Sequence, residues 1–494
     1  MNSVPQSGPA RTVVLEDVCD LQYTGARDYI DYPLDIPAGV SLIDVQLDFI
    51  KVTDRFQLYE ALLEPSGLLR GHVQCPGGPG PRHQRFTVGE ATASHGCIAG
   101  RIMAGNWTLR IDLDRFRESG HYELRVVTQT DQRQEALESR EPGAPSITSP
   151  ESRATPDQPP ADTQSHWLKG ELHSHSFHSD GRNSVLEIIA EARRLKLDFF
   201  ALSDHFTWSH WADLSADDAN GVESPLILLP SIEVTTHLGH ANAHGLTQWP
   251  NVYVDGGGWN CGDLARSVHD QGGLFGINHP FSGQQAWRRS DVAWSEVDLL
   301  EVVNQSQDAN NDAAIGLWDR LLAQGYDIAP VAGTDCHDIG DPPQRLGQVF
   351  TFVKAADYTL PAVINGLRNG ATVVSRGARL DLSIRHQATV ARLGETIHAG
   401  SSPVQLEIEI DAEHRCTLYV IRDGLMWHQS DVKPGPQFVV LDDPHPISGA
   451  YRVELHRRSS DPRHWASAWR SHESFEALTG HIRVFADSDN LPDV

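Results

Sequence analysis

The stretch His173-Ser-His-Ser-Phe-His-Ser-Asp180-Gly181 decides the fold prediction for this chain of 494 residues, because it has the composition of a metal-binding segment. It carries three histidines and one aspartate in close succession. Side chains two residues apart in an extended segment point to the same face, so His173 and His175 can bind one cation. Gly181 permits a tight turn that can return Asp180 toward them. We therefore expect a metal site at the end of a short strand.

Four short apolar runs later in the chain end in the same residue types. Each run is apolar throughout instead of alternating, which is typical of strands in a parallel sheet covered by helices. The runs and their polar ends span Phe199–His205, Leu226–Glu233, Gly273–Pro280 and Ile328–His337. Functional sites on such sheets lie at the carboxyl ends of the strands. Each acid or histidine taken alone is more simply a hydrogen-bonded or capping residue, but together they predict one shared site.

Helical patterns separate these runs. Ser184 and Glu187 form a capping box that precedes an apolar stripe with helical spacing. Two more helices are predicted, one over about 263–270 and one from near Asp312 to Gln324, where Gly325 ends it. Strands and helices thus alternate from residue 167 to about 372, which favours an α/β fold. A closed or nearly closed barrel would bring all the strand ends to one mouth.

The ordered set of polar residues resembles the metal-binding motif series of the polymerase and histidinol phosphatase (PHP) superfamily. The set comprises His173-x-His175 with Asp180, Asp204-His205, Glu233, Gly239-His240, Asn278-His279-Pro280 and Asp335-x-His337. The variants Glu233-Val-Thr-Thr, Gly239-His-Ala-Asn and Gly333-Thr-Asp-Cys-His are most similar to the branch typified by carbaryl hydrolase. That branch includes an enzyme that cleaves an aryl carbamate.

This resemblance implies a distorted (β/α)7 barrel that binds two or three divalent metal ions and hydrolyses phosphoesters or, in some branches, other esters. The implied metal ligands are His173, His175, Asp180, His205, Glu233, His240, His279, Asp335 and His337, with Glu233 as the bridging carboxylate. At one position His240, Asn242 and His244 all compete, and we favour His240. Mixed imidazole and carboxylate ligands suit zinc, manganese or iron.

The predicted chemistry is attack by a metal-activated water, since metal ions lower the pKa of bound water from about 15.7 toward about 7. Glu233 and His205 are predicted to be catalytic. His178 lies beside the ligands in sequence, and it either donates a proton or binds an oxyanion, or instead orients a ligand.

Two loops at the metal end of the predicted barrel are rich in aromatic residues. The predicted substrate-binding residues are Trp208, His210, Arg288 and Asn304. Aromatic rings could line a pocket for an aryl group, and Arg288 or Arg289 could meet a phosphate or carboxylate. The alternative is that the aromatic residues only pack to close their loops.

The flanking segments have a different pattern. Alternating strand-like runs predict a β-sandwich over residues 1–131 and a second one over 373–494. A segment rich in Pro, Ser, Glu and Asp predicts an exposed linker over 132–165, ahead of the barrel over 166–372. β-domains of this kind suggest a homodimer.

Composition restricts the function classes. The formal net charge of −26 opposes binding to nucleic acid, and no apolar stretch is long enough to span a membrane. The N-terminus lacks the pattern of a secretory signal, so a cytoplasmic location is expected. The six cysteines are dispersed and predict neither a disulfide framework nor a zinc finger. The expected function is a metal-dependent hydrolase of a small molecule, and the alternative is a non-catalytic metal-binding or interaction protein.

Overall fold

The structure is a computed structural model. It describes residues 10–21, 28–51, 57–74, 80–114, 120–130, 165–218, 226–236, 238–249, 260–305, 310–458 and 475–487. Most of the predicted linker over 132–165 lies outside these residues. Within them, strands predominate, and the helices are confined to the central part of the chain, so the fold is α/β.

The N-terminal part consists of two four-stranded antiparallel sheets. Its strands are β1 (Ala10–Leu21), β2 (Asp28–Ile36), β3 (Val40–Lys51), β4 (Gln57–Leu63), β5 (Leu69–Gln74), β6 (Gly80–Gly89), β7 (Gly105–Asp114) and β8 (Gly120–Thr130). The sheet orders are β1-β8-β3-β6 and β2-β7-β4-β5. Alternating apolar residues from both sheets bury one core that contains Trp107 and Tyr122. The observed architecture is thus that of a β-sandwich.

The central part contains a sheet whose strands follow one another in chain order. They are β9 (His166–Glu171), β10 (Phe199–Leu202), β11 (Ile227–Thr236), β12 (Gly239–His244), β13 (Leu274–Ile277), β14 (Leu299–Asn304) and β15 (Ala329–Gly333). All neighbouring pairs are parallel except those that involve β12, which is antiparallel to β11 and β13. Strict alternation of strand and helix therefore fails at β12, which pairs directly with β11, with Gly239 opposite Thr236.

The two end strands of this series meet beyond their carboxyl ends. The Asp335 N–H donates to the His173 carbonyl oxygen, and the His175 N–H donates to the Cys336 carbonyl oxygen, each at 2.9 Å. Ser174 and Cys336 are paired in a parallel bridge. The sheet therefore curls back on itself at the end where the predicted ligands lie.

Five α-helices cover the central strands in the described residues: α1 (Val185–Arg194), α2 (Trp211–Asp218), α3 (Cys261–Asp270), α4 (Asn311–Ala323) and α5 (Leu360–Arg368). The Ser184 capping box is present at the start of α1. The three helices predicted from the sequence are confirmed as α1, α3 and α4, to within two residues at the predicted bounds of α3 and α4. Among the helices described, none combines the length and apolar character that a membrane crossing requires.

The C-terminal part continues the same sheet. After β16 (Phe350–Ala355) and β17 (Thr372–Ser375) come β18 (Arg379–His386), β19 (Thr389–Arg392), β20 (Thr396–Gly400), β21 (Val404–Ala412), β22 (Cys416–Arg422), β23 (Leu425–Val432), β24 (Gly435–Asp443), β25 (Gly449–Arg457), β26 (Phe475–Thr479) and β27 (Ile482–Ala486). β17 pairs with both β16 and β26, so it belongs to the central and the C-terminal sheets alike. A four-stranded sheet, β19-β18-β21-β24, packs over a shared core with the other strands.

Candidate metal centre

The carboxyl ends of the central strands bring all nine predicted ligands into one cluster. They are His173 and His175 after β9, Asp180 in the following turn, His205 after β10, Glu233 on β11, His240 on β12, His279 after β13, and Asp335 and His337 after β15. Each has a nitrogen or carboxylate oxygen no more than 3.5 Å from another member. Residues that are far apart in sequence therefore share one site.

Glu233 lies at the centre of the cluster. Its Oε1 is 3.3 Å from His173 Nε2, 3.2 Å from His240 Nδ1 and 3.5 Å from His279 Nε2. Its Oε2 is 2.8 Å from His205 Nδ1 and 3.4 Å from His175 Nε2. The two oxygens thus face different sets of imidazoles. This is the placement that a bridging carboxylate needs.

Three overlapping groups of side chains could each hold a metal ion, because their ligand atoms lie within 4.8 Å of one another. The groups are His175, Asp180, His205 and His337; His173, Glu233 and His279; and His173, His175 and Asp335. Two of the atoms that face other members of these groups are buried without a hydrogen-bond partner among the described residues: Asp180 Oδ1, which faces His205 and His337, and His173 Nε2, which faces Glu233 and Asp335. Buried polar atoms are normally satisfied, so the donor set fits a cation.

Charge within the cluster shifts pKa values in opposite directions. Burial alone would raise the pKa of Glu233, but nearby imidazoles, above all His173, hold this pKa well below its usual value. Burial alone would lower the pKa of His173, but Asp335, Glu233 and Glu301 raise it well above its usual value. The pKa of His337 is raised to about 9, because Asp180 outweighs the effect of burial. Buried carboxylates and imidazoles therefore compensate one another here.

Two of the ligand positions have unusual backbone conformations. His279 and Asp335 follow strands β13 and β15, and their φ angles are 25° and 50°. Residues other than glycine are uncommon in this region, and such strain costs about 1–3 kcal/mol per residue. Strain of this kind is concentrated at functional sites. The backbone is thus locally strained at the two positions where these side chains enter the cluster.

Buried carboxylates outside the predicted ligand set hold the ligands in place. Glu301 Oε1 is 3.1 Å from His173 Nδ1, and Glu301 Oε2 accepts the His279 N–H at 2.7 Å. Asp204 accepts hydrogen bonds from the backbone and hydroxyl of Ser176. Glu301 was not among the residues predicted from the sequence. Its signal is a lone acid within the buried strand β14, whose other residues are mostly apolar.

The structure distinguishes the three residues that compete for one ligand position. His240 lies against Glu233, as described above. The Asn242 side chain donates to the Leu172 carbonyl oxygen at 3.1 Å. His244 Nδ1 lies 2.8 Å from the Ser231 hydroxyl. Of the three, His240 is the one that reaches the cluster.

His178 lies beside the cluster, and both of its ring nitrogens contact protein groups. Nδ1 is 2.7 Å from the Ser209 hydroxyl, and Nε2 is 3.1 Å from Asp213 Oδ2. The residue is only 6% exposed. This placement favours the alternative in which His178 orients its neighbours, and its direct role in proton transfer stays a prediction.

The predicted substrate-binding residues occupy varied environments. Trp208 is buried against Trp211 and Trp249. His210 is buried with Nδ1 3.1 Å from Asp204 Oδ2, and Asn304 donates to Glu301 at 3.1 Å. Arg288 is exposed. Three of the four are therefore held in the interior, and their roles in substrate binding stay predictions.

A groove of about 1030 Å³ lies away from this centre. Its lining includes Trp167, Phe350 and Phe352 from β9 and β16, and Arg379 and Phe438 from the C-terminal sheet. None of its lining residues belongs to the nine-residue cluster. The centre is thus defined by its chemistry and not by the size of a cavity.

No family model and no curated protein matches the chain. Among solved structures, a two-domain protein from Bacteroides vulgatus that contains a predicted PHP-like metal-dependent phosphoesterase is similar, at 18% identity. The match covers 66% of this chain and 97% of that one, with a TM-score of 0.39. An amidohydrolase from Chromobacterium violaceum matches at 17% identity over 36% of this chain and 90% of that one, with a TM-score of 0.28. Likenesses at these scores do not assign a fold or an activity.

Proposed function

We propose that this protein is a metal-dependent hydrolase that cleaves an ester-type bond in a small molecule, either a phosphoester, a carboxylic ester or a carbamate. The observation that carries the proposal is the position of Glu233, whose two oxygens face separate sets of imidazoles. A carboxylate so placed can bridge two cations. Paired cations are a recurrent device of enzymes that hydrolyse phosphoesters and related bonds.

The nine clustered residues would hold two or three divalent ions, with zinc, manganese or iron suited to their mixed nitrogen and oxygen ligands. When bound, such ions supply hydroxide at neutral pH and Lewis acidity for the bond under attack. The protein contributes ligand orientation. Glu301 fixes the ring of His173, and Asp204 fixes the turn that follows it.

Unequal exposure within the cluster indicates the side from which a substrate enters. The His337 side chain is 29% exposed and Asp180 is 24% exposed, whereas Glu233 is 1% exposed. A substrate would therefore meet His337 and Asp180 first. The buried side of the cluster excludes water and strengthens its electrostatic interactions.

The finer features of the predicted fold and context belong to the same proposal. We propose that β9 to β15 form the distorted (β/α)7 barrel of the PHP superfamily, in its carbaryl hydrolase branch. The backbone hydrogen bonds from Asp335 to His173 and from His175 to Cys336 support this proposal. The domain limits predicted from the sequence, the cytoplasmic location and the homodimer stay predictions.

The proposal is tested with metal-loaded protein and three substrates: p-nitrophenyl phosphate, p-nitrophenyl acetate and an aryl N-methylcarbamate. We expect hydrolysis of at least one of them, loss of activity on chelation, and loss of activity in Glu233→Gln and His205→Ala. His269→Ala is the matched control, because His269 lies on α3 and pairs with Asp298 outside the centre.

Two results would contradict the proposal. If chelation and both substitutions leave the rate unchanged, metal ions have no part in the reaction. If the metal-loaded protein cleaves none of the three substrates, the alternative of a non-catalytic metal-binding protein is favoured. Elemental analysis of each sample shows whether metal was present.

A further inference from the structure

The N-terminal sandwich contacts the segment that lies between two ligands of the centre. The His95 ring lies 4.2 Å from the Phe177 ring and 4.7 Å from the His178 ring. The neighbouring Gly96 N–H donates to the Ser209 hydroxyl at 3.1 Å. Behind this contact, Ala61 and Ile98 of the sandwich are buried in one hydrophobic core with residues of the central part. The sandwich is thus packed against the centre.

The hydrogen bonds of Ser209 fix the direction of its hydroxyl group. A serine hydroxyl has one hydrogen and two lone pairs. The Ser209 oxygen accepts from the Gly96 N–H and also from the Thr207 hydroxyl at 3.0 Å. Both lone pairs are then used. The remaining contact, with His178 Nδ1 at 2.7 Å, must therefore be a bond that Ser209 donates.

This direction determines where His178 carries its proton. A ring nitrogen that accepts a hydrogen bond bears no hydrogen, so in the neutral ring the hydrogen lies on Nε2. Nε2 is 3.1 Å from Asp213 Oδ2, so this N–H donates to a carboxylate. The hydrogen bonds thus form one chain, in which Gly96 donates to Ser209, Ser209 donates to His178, and His178 donates to Asp213.

Serine, histidine and aspartate are also the residue types of a nucleophilic triad, but Ser209 is poorly suited to attack a substrate. Both of its lone pairs accept hydrogen bonds from Gly96 and Thr207. The arrangement therefore orients groups instead of supplying a nucleophile.

We propose that Ser209 is a positioning residue that is oriented by the Gly96 N–H of the N-terminal sandwich and holds His178 with its proton on Nε2. The sandwich thereby becomes part of the active-site structure. The kinetic consequence rests on the proposed function, whereas the position of the proton does not. His178 also reaches the centre through its backbone, because its N–H donates to the Ser176 hydroxyl, which donates to Asp204.

The test uses the full-length, metal-loaded protein with ¹⁵N-labelled histidine. Nitrogen NMR reports which nitrogen of His178 bears the proton, and the His178→Gln variant identifies its signals. The variants are Ser209→Ala, which removes the donor, and Ser209→Thr, which keeps a hydroxyl. Ser94→Ala is the matched control, because the Ser94 hydroxyl accepts from Thr87 N–H within the sandwich, although it lies two residues from Gly96.

We expect the wild-type protein, Ser94→Ala and Ser209→Thr to show the proton on Nε2. In Ser209→Ala this preference should be lost. The kcat should fall about tenfold with KM and metal content little changed, since residues that orient the groups of a metal site by hydrogen bonds commonly contribute 10–100-fold to activity. Gly96→Ala should act in the same direction without changing any side chain of the centre. A Cβ atom there would lie 2.6 Å from the His72 carbonyl oxygen and 3.0 Å from that of His178, so it would displace the loop.

A proton on Nδ1 of His178 in the wild-type protein would overturn the proposal, as would a Ser209→Ala variant with unchanged spectra and kcat. If the wild-type protein hydrolyses none of the aryl substrates, the proposed function fails, but the NMR result still decides the position of the proton. Circular dichroism of each variant separates a local change from misfolding.

Discussion

Glu233 is the residue on which the centre depends, because it places a full negative charge in the interior. Such a charge is retained only where opposite charge compensates it. Five imidazoles surround it, and metal ions would take over their role when bound. Histidine binds a metal ion in its neutral form, so protonation and metal binding compete at these nitrogens.

Glu301 offers a test of ligand orientation, because it contacts the ligands without belonging to the predicted ligand set. We expect Glu301→Gln to lower metal affinity by about 10–100-fold, which is the usual effect of removing such a partner. The physical reason is that the carboxylate bonds to His173 Nδ1 and to the His279 N–H would be lost or weakened. Competition titration with a coloured chelator measures the affinity.

Glu407→Gln is the control, since Glu407 pairs with Arg385 on the C-terminal sheet. Equal metal affinity in Glu301→Gln and the wild-type protein would show that the ligands do not need this carboxylate.

The buried residue Glu60 should make the free energy of unfolding depend on pH in a way that is unrelated to metal binding. This residue is buried in the N-terminal sandwich, and burial raises its pKa from 4.5 to about 8. In the unfolded chain the group ionises near pH 4.5, whereas in the folded chain it stays protonated to about pH 8. The contribution of Glu60 to the free energy of unfolding is therefore greatest below pH 4.5 and falls as the pH rises to 8, by up to about 1.4 kcal/mol per pH unit.

Urea unfolding of the wild-type protein and of Glu60→Gln at several pH values checks this prediction. The amide does not titrate, so the difference in stability between the two proteins should change steadily from pH 4.5 to 8 and then level off. A difference that is independent of pH would mean that Glu60 is ionised or solvated in the folded state.

At the scale of elements, local patterns were sufficient to predict three of the five α-helices in the described residues, α1, α3 and α4. Ser184 with Glu187 marked the start of α1, and Gly325, with a φ of 90°, follows the end of α4. These signals depend only on residues that are close together in the chain, so they can be recognised from the sequence alone. The antiparallel placement of β12 could not be predicted in this way, because it is set by pairing with β11 and β13.

The candidate site was predictable only as far as its motifs extended. The nine predicted ligands carry strand-end signals, and the structure brings them together. Glu301 was missed because its acid stands alone within β14. The contact of His95 and Gly96 with the centre was also missed, since more than seventy residues separate this loop from His173 and only tertiary packing joins them.

Strand β15 offers a test of how tightly the strand ends are packed. Gly333 ends this strand, and a Cβ atom there would lie 2.3 Å from His173 Cβ and 2.5 Å from Glu301 Oε1. We expect Gly333→Ala to lower both metal affinity and thermal stability, because overpacking usually costs about 1–3 kcal/mol. Gly316→Ala in α4 is the control, since its Cβ would meet only the end of Arg320, at 3.9 Å.

The control should be neutral or slightly stabilising, because alanine has a higher helix propensity than glycine. Elemental analysis and thermal unfolding measure the two effects. A Gly333→Ala protein that binds metal normally and melts at the wild-type temperature would show that these strand ends can move apart easily.

At the scale of the whole molecule, the flanking sheets are bound to the central part by different means. The N-terminal sandwich shares a hydrophobic core with it and reaches the centre through Gly96. The C-terminal part shares a continuous sheet through β17 and β26. The predicted domain limit at residues 372–373 falls within β17. The C-terminal sheet is therefore expected to unfold together with the central strands.

A buried ionic contact provides the last test, because it joins the same two parts away from β17. Arg452 on β25 lies 2.7 Å from Asp319 on α4 and 2.5 Å from Glu454, and all three side chains are buried. We expect Arg452→Met to lower the free energy of unfolding by about 3–5 kcal/mol, because it leaves buried carboxylates without this cation. Arg385→Met removes a surface pair with Glu407 and should lower the free energy of unfolding by about 1 kcal/mol or less.

Urea unfolding followed by both tryptophan fluorescence and circular dichroism should give coincident transitions in the wild-type protein. If Arg452→Met costs no more than Arg385→Met, the buried contact does not stabilise the junction, and separate transitions would show that the two parts unfold independently.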